Sequence, residues 1–403
     1  MTLTLLLDLD DTLLGNKMET FLPAYMMALA EHLGDFADGM QLVNELLNAS
    51  QGMMTNEDPS QTLKEVFDRA FYPALGLDYA AVQAPIQEFY ENVYPNLKGG
   101  TEYRPAAKAL VREANARGYR IAIATNPLFP KTATWQRLEW AGLRGDDPGV
   151  ALVSTYENFH FAKPNPAYFA EVLAQMGWPE GPAAMVGNDA EDDIAAAKSL
   201  GLATFWINEK AFQAEVQNGE PPVNGSGKIG DVLQWIDQTG LPKMSMEPTG
   251  LTSSMAILKS TPAALGTMLR EIPESIWQAG VSKEDLNLTE IVCHLRDTDK
   301  EIHLPRLIKM FGENEAIIEA VDTHPWAKER NYQQEDGPEA LSQFIRKRIE
   351  LIEMIAQARD EQWAMHARHT ALGPTNALEM VGFMARHDQD HIRQIYEILR
   401  LPN

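Results

Sequence analysis

The pattern of apolar and polar positions changes period along the chain, and each change predicts a different kind of element. Leu5-Leu6-Leu7 is a continuous apolar run of strand length, the pattern of a strand covered on both faces. Comparable runs recur at 119–124, Val150–Val153, 183–186 and Ala203–Ile207, with helical stretches between them, one of which covers 106–117 and closes at Gly118. That alternation predicts an α/β domain with a Rossmann-like sheet of about five parallel strands. Between the first two strands the period is helical instead. Phe21, Tyr25, Leu29 and Leu33 form one stripe, and Leu63, Val66, Phe67, Ala70 and Phe71 another. An all-helical insertion at about 15–98 follows. From 218 to 250 the chain turns to Gly, Pro and Ser, with room for one helix at 229–236, and the domain boundary is expected at 241–250 after a first domain of 1–240. Residues 251–403 read as all-helical. Helices over 262–271, 289–310, 338–359 and 375–399 have the spacing of a four-helix bundle, with Thr289 and Thr375 as N-caps and Pro338 in a first turn.

Composition narrows the function classes. A chain of 403 residues exceeds the size at which one core keeps growing, so two domains are expected. The net charge is −23 and neither half is basic, which repels a nucleic-acid backbone. The lone cysteine, Cys293, excludes an internal disulfide and fits a reducing compartment. The first apolar run is short, lacks a basic flank and leads straight into acids, so neither a signal peptide nor a membrane span is expected there. The expected setting is cytoplasmic.

Candidate chemistry sits where the strands end. Asp8, Asp10 and Asp11 follow the first run, and like charges at a buried strand end need a neutralising partner, a cation being the obvious one. In open α/β sheets that edge is where ligands bind. The second run ends in Thr125-Asn126-Pro127, the third leads to Lys163-Pro164, and the fourth ends in Gly187-Asn188-Asp189-Ala190-Glu191-Asp192-Asp193. In this order, Asp8-x-Asp10-x-Thr12, Thr125, Lys163 and the acidic cluster resemble the four motifs of the haloacid dehalogenase-like hydrolases, over about 1–240. The helical insertion resembles the cap of that family. The resemblance implies that Asp8 is a nucleophile that forms an aspartyl-phosphate and Asp10 a general acid and base. It further implies that Thr125, Asn126 and Lys163 hold the phosphoryl group. A Mg²⁺ site would be made by Asp8, Asp10 through its backbone carbonyl, Asp189 and a second acid, mapped to Asp193 with Asp192 left open. The second aspartate of the first motif favours a phosphatase over a dehalogenase.

His387 and His391 are four residues apart on the last predicted helix, which puts both imidazoles on one face. With the segment around His294, they resemble the metal-binding motifs of the DinB-like four-helix bundles. That implies a second divalent metal, Zn, Ni or Fe, on His294, His387 and His391. His303, nine residues beyond His294, is half a turn out of phase and is expected to face away. His366 and His369 are expected in an exposed loop. The functional expectation is a Mg²⁺-dependent phosphatase acting on a small phosphorylated metabolite, fused to a metal-binding bundle through which the chain could dimerise. The alternative is a sensing or regulatory first domain, the second being a thiol-dependent transferase or a binding module.

Overall fold

Leu5, Leu6 and Leu7 are fully buried because Thr4–Leu7 is the central strand of a sheet covered on both faces. The computed structural model describes residues 2–208, 213–214, 224–246, 248–282 and 285–401. Arg120–Ile123 and Ala183–Gly187 flank the central strand, in register so that Leu7 lies level with Ile123 and Val186. Val150–Val153 lies outside the former and Ala203–Ile207 outside the latter. Everything that follows Leu7, Ile123 and Val186 therefore emerges at one edge of the sheet.

Among the described residues the sheet has six parallel strands, one more than expected, and a short antiparallel edge strand, Gln213–Ala214. The additional parallel strand is Asn224–Gly227, which reads as linker because Asn-Gly-Ser-Gly has no strand propensity. Packing selects it. A Cβ at Gly225 would lie 2.7 Å from the Trp235 ring and 2.9 Å from Phe205, so only glycine lets this strand lie against them. The Gly-Pro-rich reading at 218–223, and Glu247 in the expected boundary, lie outside the described residues.

The insertion is helical as expected: Met18–His32, Gly39–Met54, Leu63–Ala74 and Tyr79–Glu88, then tighter and wider turns to Gly100. A two-stranded antiparallel ribbon, Leu14–Gly15 with Glu102–Tyr103, brings its ends together. Both stripes face inward, except that Phe67 is half-buried and Ala70 is exposed.

The chain divides into two compact units. Met1–Glu57, Gln61–Val172 and Pro179–Glu247 make one, and Asp58–Ser60, Leu173–Trp178 and Pro248–Asn403 the other. In the second unit four long helical segments pack together: Gly250–Met268, Leu288–Gly312, Gly337–Ala356 and Ala377–Leu399. The first begins well before Pro262, which lies inside it. Proline has no N–H, so the Leu258 carbonyl four residues earlier is free, and Arg348 Nη1 donates to it at 3.3 Å. The expected caps are also corrected. Asn287 and Asn376 cap the second and fourth helices, each accepting from the amide of a glutamate three residues on, whereas the Thr289 hydroxyl donates to the Trp277 carbonyl. The unit is not purely helical, since Ala316–Ile318, His366–His369 and Gly373–Asn376 form a small sheet. His369 is accordingly buried, and His366 remains exposed. No helix among the described residues is long and apolar enough to cross a membrane.

Candidate functional site

At the sheet edge the backbone turns immediately after Asp10, because Asp11 adopts φ 55°, an uncommon conformation for a residue with a side chain. Arg104 holds that turn, pairing with the Asp11 carboxylate at 2.6 Å and donating to the Thr12 carbonyl at 3.1 Å. Asp8 is buried and its Oδ1 accepts from Lys163 Nζ at 2.8 Å. The same ammonium donates to Asp193 Oδ1 at 2.5 Å, and Asp193 Oδ2 accepts from the Asp189 amide at 3.0 Å. Asp193 is thereby spent on holding Lys163. A Cβ at Gly187 would sit 2.1 Å from Asp193 Oδ2, which is why a glycine ends this strand. Thr125 is buried at the end of its strand, its carbonyl fixed by Ser154 Oγ at 2.7 Å and by the Tyr168 hydroxyl at 2.8 Å. Asn126 Oδ1 accepts from the Lys163 amide at 3.2 Å. Asp8, Asp10, Thr125, Asn126, Lys163, Asp189, Asp192 and Asp193 all line one pocket of about 260 Å³.

Electrostatics in this pocket are unbalanced. Burial, and then the Asp193 carboxylate, push Asp8 up to about 7 against the pull of Lys163. Burial works against the Lys163 charge, but Asp193 and Asp8 outweigh it and raise its pKa. Asp192 is raised by burial and by Asp189.

Three residues passed over in the sequence complete the site. Arg137 is fully buried, stacks its guanidinium 4.3 Å from the Phe129 ring centre, and pairs with Asp10 Oδ2 at 2.5 Å. Asn16 Nδ2 donates to Asp10 Oδ1 at 2.8 Å, so both Asp10 oxygens are held. The third is Asn188. One atom of its side-chain amide lies 3.3 Å from Asp8 Oδ2, 3.0 Å from the Asp10 carbonyl and 3.0 Å from Thr12 Oγ1. With nitrogen there, the amide faces three acceptors, Asp8 Oδ2, the Asp10 carbonyl and Thr12 Oγ1. With oxygen there, three oxygens face one point, the arrangement a hard cation satisfies. Asp189 Oδ1 instead accepts from the Glu191 and Asp192 amides, each at 2.8 Å, as a helix cap.

In the second unit the three expected histidines come together. His387 Nε2 lies 3.1 Å from both His294 Nε2 and His391 Nε2. His391 Nδ1 is 2.8 Å from Gln394 Oε1, an acceptor, which places the proton on Nδ1 and leaves Nε2 as a lone pair. His387 Nδ1 is buried without a partner. Burial and mutual repulsion lower His294 to about 3 and His387 well below the ordinary value; burial lowers His391 as well. All three are therefore neutral, the form that ligates a metal.

His303 does not face away. Asp299–His303 is a π-helical turn, and its extra residue rotates the helix back, so the His303 ring sits 5.7 Å from that of His387 and edge-on to it. Its Nδ1 meets Asp299 Oδ1 at 2.9 Å. Behind it, fully buried Arg348 donates to Asp299 Oδ2 at 2.7 Å and to Asp388 Oδ1 at 2.9 Å, which ties the helix carrying the last two histidines to its neighbours.

A parallel sheet with a carboxylate pocket at its edge and an inserted helical cap, and a bundle with three converging imidazoles, define two classes of domain. Residues 2–201 match the haloacid dehalogenase-like hydrolase family and residues 257–395 the DinB superfamily, so the first domain belongs to the former and the second to the latter. The glyceraldehyde 3-phosphate phosphatase of Methanothermobacter thermautotrophicus is 28% identical over 111 residues, 28% of this chain and 47% of that one. The chain thus spans about half the length of that relative. The phosphoserine phosphatase of Thermus thermophilus is 27% identical over 256 residues, 57% of this chain and 96% of that one. Among solved structures, YfiT from Bacillus subtilis, a four-helix bundle of unusual topology, aligns with 18% identity and a TM-score of 0.34 over 36% of this chain and 84% of that one.

Proposed function

We propose that the first domain is a Mg²⁺-dependent phosphatase for a small phosphomonoester. The observation that carries this reading is the pair of differently held carboxylates, Asp8 on Lys163 and Asp10 on Arg137 and Asn16, two residues apart at one sheet edge. Asp8 attacks phosphorus, the ester P–O bond breaks, and Asp10 gives its proton to the leaving alkoxide. Asp10 then takes a proton from water as that water attacks the aspartyl-phosphate and Asp8 is released. Lys163, Thr125 and Asn126 orient the phosphoryl oxygens, with Lys163 offsetting their charge. The oxygen cluster and the surplus of acids fit a divalent cation. Asp8, the Asp10 carbonyl and Asn188 would hold it, with Asp189 and Asp192 at the pocket wall and Asp193 kept for Lys163. When bound, Mg²⁺ supplies positive charge to the phosphoryl oxygens. The test is phosphate release from a panel of phosphorylated metabolites with and without Mg²⁺. Release that is indifferent to the cation overturns the Mg²⁺ assignment, and no release from any ester overturns the activity.

Arg137 gives a sharper check. Arg137→Met keeps an apolar stem over Phe129 but frees Asp10 Oδ2. Because small misplacement of an acid is costly, kcat should fall on the order of 10²-fold with KM nearly unchanged. A kcat within twofold of wild type means that Arg137 does not position the acid.

In the second domain, His294, His387 and His391 are proposed to hold one transition metal, with Zn, Ni and Fe as the candidates. Elemental analysis after dialysis should find roughly one such ion per chain in wild type and in His366→Ala, whose side chain is exposed, and much less in His387→Ala. Equal content in all three places the metal elsewhere. Because folding holds these imidazoles below their ordinary range, protons should compete for them only well below pH 6.5.

A further inference from the structure

Beside the carboxylate pocket, the helical insertion encloses a second cavity of about 220 Å³, and the two share Met18, Leu128 and Phe129 as walls. Its lining is largely apolar, with Leu29, Leu46 and Phe71 among the buried residues, and contains no Lys, Arg, His, Asp or Glu among the described residues. The hydroxyls of two lining tyrosines, Tyr25 and Tyr90, are 2.9 Å apart, one donating to the other. Leu47, Gln51 and Met54, one face of the Gly39–Met54 helix, are exposed, so the cavity reaches the surface along that rim. A cavity of this kind disfavours a carboxylate or ammonium, because its polar groups are the Ser50, Gln51 and tyrosine side chains and none of them carries a charge to offset the lost water. It accepts hydrocarbon. An engineered apolar cavity of about 150 Å³ already takes up benzene.

We propose that the alcohol half of the phosphomonoester is an uncharged, apolar group of roughly benzene size or somewhat larger, an aryl or medium-chain alkyl. It occupies this cavity while the phosphoryl group sits on the Asp8 side of the Phe129 partition. The inference rests on the phosphatase reading above and separates this chain's substrate from charged ones such as phosphoserine. For those, the carboxylate pocket offers, among the described residues, only Lys17 as a cation beyond Lys163.

The test uses the full chain with Mg²⁺ and a series of methyl, butyl and hexyl phosphates, whose alkoxide leaving groups have nearly equal basicity, beside phosphoglycolate and O-phosphoserine. If methylenes are buried on binding, kcat/KM should rise roughly tenfold for every two methylenes until the cavity is filled. Ser50→Asp, which puts a charge into the lining at a half-buried position, should lower the hexyl rate far more than the methyl rate and flatten the series. Rates that are flat with chain length in the wild type, or higher for phosphoglycolate and phosphoserine, overturn the inference and leave the phosphatase standing. Failure to hydrolyse any ester, methyl phosphate included, removes the phosphatase reading and this inference with it.

Discussion

Asp8→Asn is expected to reduce phosphate-ester hydrolysis on the order of 10⁴-fold or more while the protein stays folded. An amide has nearly the volume of a carboxylate but cannot serve as the nucleophile. The fold should tolerate it, because the native environment already disfavours the Asp8 charge. Its pKa rises from 3.8 to about 7, chiefly through burial and the neighbouring Asp193. The folded state therefore prefers the protonated acid, and the stability this contributes is complete below about pH 3.8 and lost as pH rises toward about 7. A permanently neutral side chain removes that loss. In metal-free buffer above pH 7 the variant should melt at or above the wild-type temperature, although it is inactive with Mg²⁺. Lys163 keeps Asp193 as a partner in this variant, whereas Lys163→Met would leave Asp8 and Asp193 buried together without a counter-charge. The aspartate is thus the cleaner substitution. Phosphate release and thermal melting on the same preparation check both halves. Near wild-type turnover would place the nucleophile elsewhere.

The parallel strands and the residues at their ends were legible in the sequence because two local rules coincide there. Doubly covered strands read as unbroken apolar runs, and parallel pairing brings successive strand ends to the same edge whatever lies between. Asp8, Thr125, Lys163 and the acidic cluster meet for that reason. Asn188 was passed over because acids attract attention when a cation is expected. Yet Gly187 ends its strand, so Asn188 is the first side chain past the edge, and Asp189 falls where a helix needs a cap. Arg137 and Arg348 carried no local signal. Each is a basic residue inside a helix, and its meaning comes from a carboxylate 127 residues away for Arg137 and from 49 and 40 residues away for Arg348. His303 failed differently. Counting in steps of 100° assumes an unbroken α-helix, and nothing in Asp-Lys-Glu-Ile-His announces a π-helical turn.

Replacing Arg348 is expected to be the most destabilising single change in the second domain. Its guanidinium is fully buried, and it compensates two buried carboxylates on different helices, Asp299 and Asp388, while taking up the carbonyl that Pro262 leaves free. Arg348→Leu removes the only one of these partners that is permanently positive. Two acids would then remain in the interior, with His303 beside Asp299 as the residual donor. Breaking a buried ion pair from one side typically costs about 3–5 kcal/mol. A domain of this size has about 5–15 kcal/mol in total, so the variant should sit near its stability limit. Much of the cost is stranded charge, not lost attraction. Converting Asp299 and Asp388 to Asn in the same chain should therefore recover a good part of it, which a simple cavity would not allow. Metal content is the second readout. Asp388 lies on the helix between His387 and His391, and Arg348 anchors it. Loosening that anchor should weaken the three-histidine site roughly 10–100-fold, even at temperatures where the domain remains folded. The measurement is hydrogen exchange of the 377–399 helix together with metal titration in wild type, Arg348→Leu and the triple variant. Unchanged exchange and affinity in Arg348→Leu would mean that the buried network neither supports this helix nor sets the geometry of its histidines.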